Sequence, residues 1–462
     1  MKTQTAIEEL QTLFQQYKEE AIKDYFTFLK FESVSSEPSY KDQVLACAKW
    51  VSSYLTDAGF LVESWPTSGY PTIFAHYDRA GPDQPTLLIY NHYDVQPVDP
   101  LDLWESAPFV PTVRDGEVYA RGAQDNKGQC FYVLLALKAI LKSTGSLPVN
   151  IKLCIEGEEE CGSTGLSGIL KERKKDLKAD YLAIVDLGLP NLQTPTITLG
   201  VRGLVTMDVE VTCTRTDIHS GSHGGIVYNP IHAIIKLLGD LRNSDGKIGI
   251  PGFYDDVKPV SDTEKSLVSL EFDSKTYESN FGTKATGGER EFSPLERNWF
   301  RPTFEINGIN GGYSGDGFKT VIPAKATAKV SCRLVPNQEP SKIGALVSAY
   351  LKKNAPEGTQ VNVSIHSGSG TALRASADSK IATAFATAYQ EIFHKECKRI
   401  YSGASIPVVT ELAKACGGEV ILVGLGLPGD CIHAPNEHFG LNRIEMGFLS
   451  IARVLQLMGK QD

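Results

Sequence analysis

No stretch of this chain approaches the roughly 18 consecutive apolar residues that cross a membrane, so a membrane-spanning role is not expected. A basic excess is also missing. Lys and Arg number 46 against 55 Asp and Glu, a net charge of −9, and no basic patch carries interleaved aromatics. That balance argues against a nucleic-acid partner. The N-terminus shows neither the short apolar core nor the small-residue cleavage site of a secretory signal. The nine cysteines are scattered and contain no Cys-x-x-Cys pair. A disulfide framework or structural zinc knuckle is therefore not expected, and the thiols read as the reduced ones of a cytoplasmic protein. Cys161 and Cys431 read as small buried hydrophobes. Repeats, low-complexity tracts and coiled-coil heptads are absent too.

What remains is an ordinary globular composition spread over 462 residues. That is too long for one core, so two or three domains are expected. Residues 5–31 place Leu10, Phe14, Tyr17, Ala21, Tyr25 and Phe26 at helical spacing, an amphipathic helix. A second helix, Asp42 to Ala58, stops at Gly59. Strands are predicted at Phe60–Trp65, Thr72–Tyr77, Thr86–Tyr90, Val149–Glu156 and Asp180–Asp186, with an apolar helix at Gly128–Leu141. Strands alternating with helices, each strand closing in a polar cluster, describe an α/β domain that binds ligands at the carboxyl ends of its strands.

The pattern changes near Gly200. Val205–Thr212, Asn229–Arg242, Ala324–Leu334, Ser341–Asn354 and Gln360–His366 read as strand, helix, strand, helix, strand, while 252–300 look polar and irregular. This predicts a smaller α+β domain, residues 200–370, inserted between catalytic segments 1–199 and 371–462. A helix at Ser376–Cys397, a strand at Val420–Gly424 and a closing helix at Ile444–Met458 complete the first domain.

Five clusters sit at or just beyond predicted strand ends: His92 with Asp94, Asp125, Glu159 with Glu160, Asp186, and His433. Histidine and carboxylate donors without cysteine suit a hydrolytic zinc site, which could hold two ions. His92 and Asp94 are separated by one residue, so they point the same way from an extended strand end. That spacing suits a ligand and a carboxylate that orients it.

The resemblance is carried by whole segments: His92-Tyr93-Asp94-Val95-Gln96-Pro97, Arg121 to Gln129, Glu156 to Ser163, Ile218-His219-Ser220-Gly221 and His433-Ala434-Pro435-Asn436-Glu437. In order and spacing, from about residue 15 to 455, these resemble the di-zinc metallopeptidases. That family includes carnosine dipeptidases, aminoacylase, carboxypeptidase G, acetylornithine deacetylase and succinyl-diaminopimelate desuccinylase. The resemblance is nearest to the cytosolic dipeptidase branch. It implies an α/β/α zinc-peptidase domain with an inserted lid and dimerisation domain, and two Zn²⁺ per chain, with Mn²⁺ or Co²⁺ as substitutes. His92 and Asp186 would hold one ion, Glu160 and His433 the other, and Asp125 would bridge them. Glu159 would be the general base, and Asp94, which orients His92, the other catalytic residue. A cis peptide would follow Asp125.

The resemblance further implies a homodimer formed through residues 200–370, in which His219 reaches the partner subunit's site and binds the scissile carbonyl oxygen. Arg333 would bind the substrate's terminal carboxylate, a task suited to a guanidinium fork, and Ser405 would also contact substrate. One departure concerns Ser402-Gly403-Ala404-Ser405-Ile406-Pro407. Dipeptidases of the family often have Glu-Gly-Gly-Ser-Ile-Pro here. Ser402 thus replaces the carboxylate that could hold a free amino group, and Ala404 replaces a glycine. His223 also departs, without an evident role. The expected activity is hydrolysis of dipeptides or very short peptides. The alternatives are deacylation of N-acyl amino acids at the same site, favoured by Ser402, or a non-catalytic binding protein, which would be expected to have lost ligands or the base.

Overall fold

A computed structural model of the protein describes residues 2–260, 264–265, 268, 271–366 and 368–459. Parts of the stretch read as irregular, 261–263, 266–267 and 269–270, lie outside them. Helix α1 (Lys2–Leu29) buries Leu10, Phe14, Ala21, Tyr25 and Phe28. Helix α2 (Lys41–Ala58) ends on Gly59 in the left-handed region, φ 100°, with the Gly59 N–H on the carbonyls of Leu55 and Thr56. Strands β1 (Leu61–Trp65), β2 (Thr72–Tyr77) and β3 (Thr86–His92) follow. Next come α3 (Lys127–Thr144), β4 (Asn150–Glu156), β5 (Tyr181–Val185) and β6 (Thr196–Val201). The inserted part holds β7 (Gly203–Thr212), α4 (Pro230–Gly239), β8 (Thr303–Gly311), β9 (Lys325–Leu334), α5 (Pro340–Lys353) and β10 (Gln360–Ile365). The chain returns through α6 (Lys380–Phe393), β11 (Lys398–Ser402), α7 (Pro407–Cys416), β12 (Glu419–Val423) and α8 (Leu441–Met458).

The large sheet runs β1–β2–β4–β3–β5–β12–β6, with β11 also on β6. Its centre, β4, β3, β5 and β12, is parallel. Those strands are nearly continuous apolar runs because both faces are covered. Helices α1, α2, α3, α6 and α8 pack on one face, and α7 with Leu166, Leu170 and Leu177 on the other. Helix α3 is buried from Lys127 through Leu141, as a helix apolar all round must be. Each fully buried Leu or Val there contributes about 1.5–3 kcal/mol. Its first turn is tight: a Cβ on Gly128 would lie 2.1 Å from the Ala123 carbonyl oxygen, so only glycine fits. β4 and β5 lie on opposite sides of β3. The winding therefore reverses about β3, where open α/β sheets leave a crevice at their carboxyl ends.

The second sheet, β8–β9–β7–β10, is antiparallel. It has its own core with α4 and α5, around Val205, Met207, Val209, Ile234, Leu237, Val330 and Val347. The protein is thus a two-domain α/β fold, as expected.

Several elements escaped the sequence reading. β8 did so because its residues from Glu305 to Gly311 are exposed and a register shift interrupts it between Ile306 and Gly308. An edge strand exposed over most of its length leaves no alternating pattern. The stretch read as irregular holds helices at Ser274–Phe281 and Pro294–Trp299. The second starts on a capping box, Ser293 with Glu296, which was legible.

Candidate metal centre

His92 is the last residue of β3, and Asp186 directly follows β5. Asp125 precedes α3, and Glu159 and Glu160 lie in a short 3-10 turn after β4. His433 lies in the loop between β12 and α8. All five segments meet at the carboxyl edge of the parallel strands. His92 Nε2 is 3.2 Å from Asp125 Oδ1 and 3.6 Å from Asp186 Oδ1. His433 Nε2 is 3.1 Å from Asp125 Oδ2 and 3.2 Å from Glu160 Oε2. The two oxygens of Asp125 therefore face two different trios, and within each trio the ligand atoms lie within 4.8 Å of one another.

Electrostatics shows why such a group suits cations. Burial alone would depress the His92 imidazole, but Asp186, Asp125 and Asp94 hold it well above its ordinary value. Hydrogen bonds to Asp125 and Glu160 push His433 up to about 10. Burial would raise the Asp125 carboxyl, yet the two imidazoles hold it below the usual carboxylate range. Burial raises Glu159, Glu160 and Asp186. Carboxylates and imidazoles thus crowd together, with no Lys or Arg hydrogen-bonded to them among the described residues. A hard-to-borderline divalent ion matches this donor set, and it would displace the imidazole protons.

A supporting layer surrounds the trios. His92 Nδ1 lies 3.1 Å from the Asp94 backbone oxygen and 3.3 Å from its carboxylate, so the orienting contact is shared with the carbonyl. The buried Asp94 carboxylate also accepts from Ser35 Oγ at 2.6 Å and from the backbone N–H of Glu159 and Glu160. It holds the glutamate turn against β3. Asn126 donates to Asp186 Oδ1 at 2.6 Å and accepts from Asn91. The Asp125–Asn126 peptide is cis, as the resemblance implied. Gln96 donates to Glu160 Oε2 at 2.8 Å.

The adjacent glutamates separate cleanly. Glu158 turns away: Thr67 Oγ1 and the backbone N–H groups of Tyr70 and Gly165 donate to it. Glu159 makes no side-chain hydrogen bond among the described residues. Its carboxyl is raised well above the ordinary value by burial, aided by Asp186, Glu160 and Asp125.

The other expected site residues lie apart from the trios. Exposed His219 accepts at Nδ1 from the N–H groups of Gly221 (3.0 Å) and Ser222 (3.3 Å). The ring proton therefore sits on Nε2, 3.5 Å from Thr320 Oγ1. All these partners belong to the second domain. Arg333, half-buried on β9, makes no side-chain hydrogen bond or ion pair among the described residues, and burial lowers its pKa. Ser405 donates to the Gly203 carbonyl at 3.0 Å, and Ser402 accepts from its neighbour Ala404 at 3.1 Å. Cys161 and Cys431 are exposed, a correction to their expected burial. They stand in the polar loops that carry Glu160 and His433, not in the apolar elements beneath.

Sequence reasoning passed over Gln96, Asn126, Thr320 and Glu437 as separate residues. The first, second and fourth stood inside quoted motifs, so a signal existed. Thr320 had none.

Histidine and carboxylate donors gathered at the ends of a parallel α/β/α sheet, with a second domain inserted, define a metal-dependent hydrolase. The chain matches the model of Peptidase family M20/M25/M40 over residues 88–457. It belongs to that family and is a metal-dependent peptidase. It is 32% identical to a Cys-Gly metallodipeptidase of Candida albicans, with all of both chains aligned. It is 33% identical to the human Beta-Ala-His dipeptidase over 79% of this chain and 73% of that one. The solved structure of a metallo-carboxypeptidase of the family from Sulfolobus solfataricus is 32% identical, with a TM-score of 0.86, over 95% of this chain and 99% of that one.

Proposed function

We propose that this protein hydrolyses the amide bond of dipeptides or very short peptides at a centre holding two Zn²⁺ ions. His92 and Asp186 would hold one and Glu160 and His433 the other, with Asp125 common to both sets. The observation that carries this reading is the pair of trios sharing Asp125. Ions held there would supply Lewis acidity and an acidified water. Glu159 takes a proton from water and returns it to the leaving amine nitrogen, a role that fits a carboxylate beside the trios with no side-chain hydrogen bond among the described residues. Asp94 orients rather than reacts, since its oxygens are engaged with Ser35 and the glutamate turn. Arg333, a half-buried cation with no ion pair among the described residues, binds the substrate's terminal carboxylate, and Ser405 lines the same end.

The relatives' names favour peptides over N-acyl amino acids. A release assay over a dipeptide panel tests this. Turnover of Ala-Ala-type dipeptides exceeding that of N-acetyl amino acids is expected, and the reverse order would overturn it. Two observations favour a second reading: position 402 carries no carboxylate to hold an ammonium, and a close structural relative is named a carboxypeptidase. N-acetylated dipeptides cleaved as fast as free ones would decide for release of a C-terminal residue without need of a free amine.

The protein acts as a homodimer through residues 200–370, the inserted domain, which lies between catalytic segments 1–199 and 371–462. Support comes from its exposed apolar side chains, including Phe318 (91%), Ile226 (78%) and Ile235 (57%), and from the open edge of β8. His219 then serves the partner's site, donating its Nε2 proton to the scissile carbonyl oxygen. Mixing inactive His219→Ala and Glu159→Gln variants is expected to restore activity, up to one working site in two. A mixture that stays inactive while subunits exchange would rule out the shared site.

A further inference from the structure

Glu437 is 1% exposed, yet the mechanism above gives it no task. Its two oxygens accept four hydrogen bonds. Oε2 takes Arg121 Nη1 at 2.7 Å and the Gly122 N–H at 2.8 Å. Oε1 takes the Gln124 N–H at 2.9 Å and the Asp125 N–H at 3.0 Å. Arg121, itself fully buried, donates from Nε and Nη2 to the Pro97 carbonyl at 3.2 and 2.9 Å. The Glu437 carbonyl accepts from Ala120. One carboxylate thus ties together the three loops that follow His92, precede α3 with Asp125, and carry His433. On the far side of the His433 loop, Asp430 is held by Arg443 and by the Leu427 N–H.

We propose that Glu437 is the positioning residue of the metal centre. It fixes the bridging Asp125 against His433 and, through Arg121, against the loop that follows His92. Chemistry favours a carboxylate for this task. Three converging backbone N–H groups and a guanidinium need an acceptor-only group, and an ionised one makes the stronger bonds. The Arg121 charge makes its burial tolerable. Glutamine has the same shape but presents an NH₂ donor to donors. The Asp125 loop would then lose two of its anchors and tilt its carboxylate off the shared position. Groups that orient metal ligands typically govern affinity by roughly 10–100-fold.

This inference rests on the two-ion reading above, and the test separates the two. Full-length wild type and Glu437→Gln are stripped of metal, then titrated with Zn²⁺ against a chromophoric chelator. Thermal melts of the metal-free proteins run alongside. Wild type is expected to take up two ions. Glu437→Gln is expected to fold when metal-free but to bind both ions roughly 10–100-fold more weakly, because both use Asp125. A folded variant with wild-type zinc affinity overturns the positioning role, even if its melting temperature drops. A wild-type chain that binds no zinc overturns the metal reading itself, and this inference with it. Should Glu437→Gln fail to fold, Arg121→Lys replaces it. That change keeps the charge but breaks the double contact with Pro97, and a several-fold loss of affinity is expected. Unchanged affinity in Arg121→Lys would then count against the proposal.

Discussion

Replacing Asp125 with alanine is expected to abolish both proposed zinc sites at once. Each of its oxygens faces a separate trio, with His433 at 3.1 Å and His92 at 3.2 Å. Loss of any other ligand leaves one trio intact, whereas loss of Asp125 leaves two donors at each position. Two donors fall short of the three that catalytic zinc usually takes from protein. Metal analysis after gel filtration should find the bound zinc falling from two ions per chain towards none, with hydrolysis at background. The chain should stay folded, because the side chain is held at the rim of the sheet and contributes nothing to the apolar core. A variant that still carries two zinc ions would show that the bridge lies elsewhere.

Glu159→Gln is expected to separate metal binding from turnover. The substitution keeps the shape of a side chain that makes no hydrogen bond among the described residues, so the surrounding loops need not move. It removes the only acid of the turn that is neither a proposed ligand nor occupied by its neighbours. Losing a general base typically slows turnover roughly 10²–10⁴-fold. Steady-state kinetics should show that fall in kcat, while zinc content remains at the wild-type value. Glu158→Gln is the control, since Thr67, Tyr70 and Gly165 already hold that carboxylate. If Glu158→Gln lost turnover and Glu159→Gln kept it, the base would have been assigned to the wrong glutamate.

How far the chain could be read depended on whether a feature leaves a local trace. Strands β3, β4 and β5 were legible because burial on both faces demands unbroken apolar runs. Helix α2 was legible because Gly59 closes it. The edge strand β8 was not, since beyond Phe304 its side chains are exposed and record no buried face. The exposure of Cys161 and Cys431 was missed for the converse reason. Residue type alone favours burial, and only the path of the loops decides otherwise.

The sequence by itself determined the chemistry available: two histidines and a set of carboxylates at strand ends, in segments specific enough to point to one family. Residue identity and short spacing carry that information. Only the tertiary structure decided how the groups are placed. It turned Glu158 away from the site and left Glu159 free, although the two are neighbours in the chain. It set both oxygens of Asp125 to opposite imidazoles, and it brought Glu437 to the Asp125 N–H across 312 positions. For Glu158 and Glu437 the physical reason is that their contacts run largely through backbone N–H groups. Almost every residue carries those groups, so their pairing has no signature in the letters of the sequence and appears only when the chain folds.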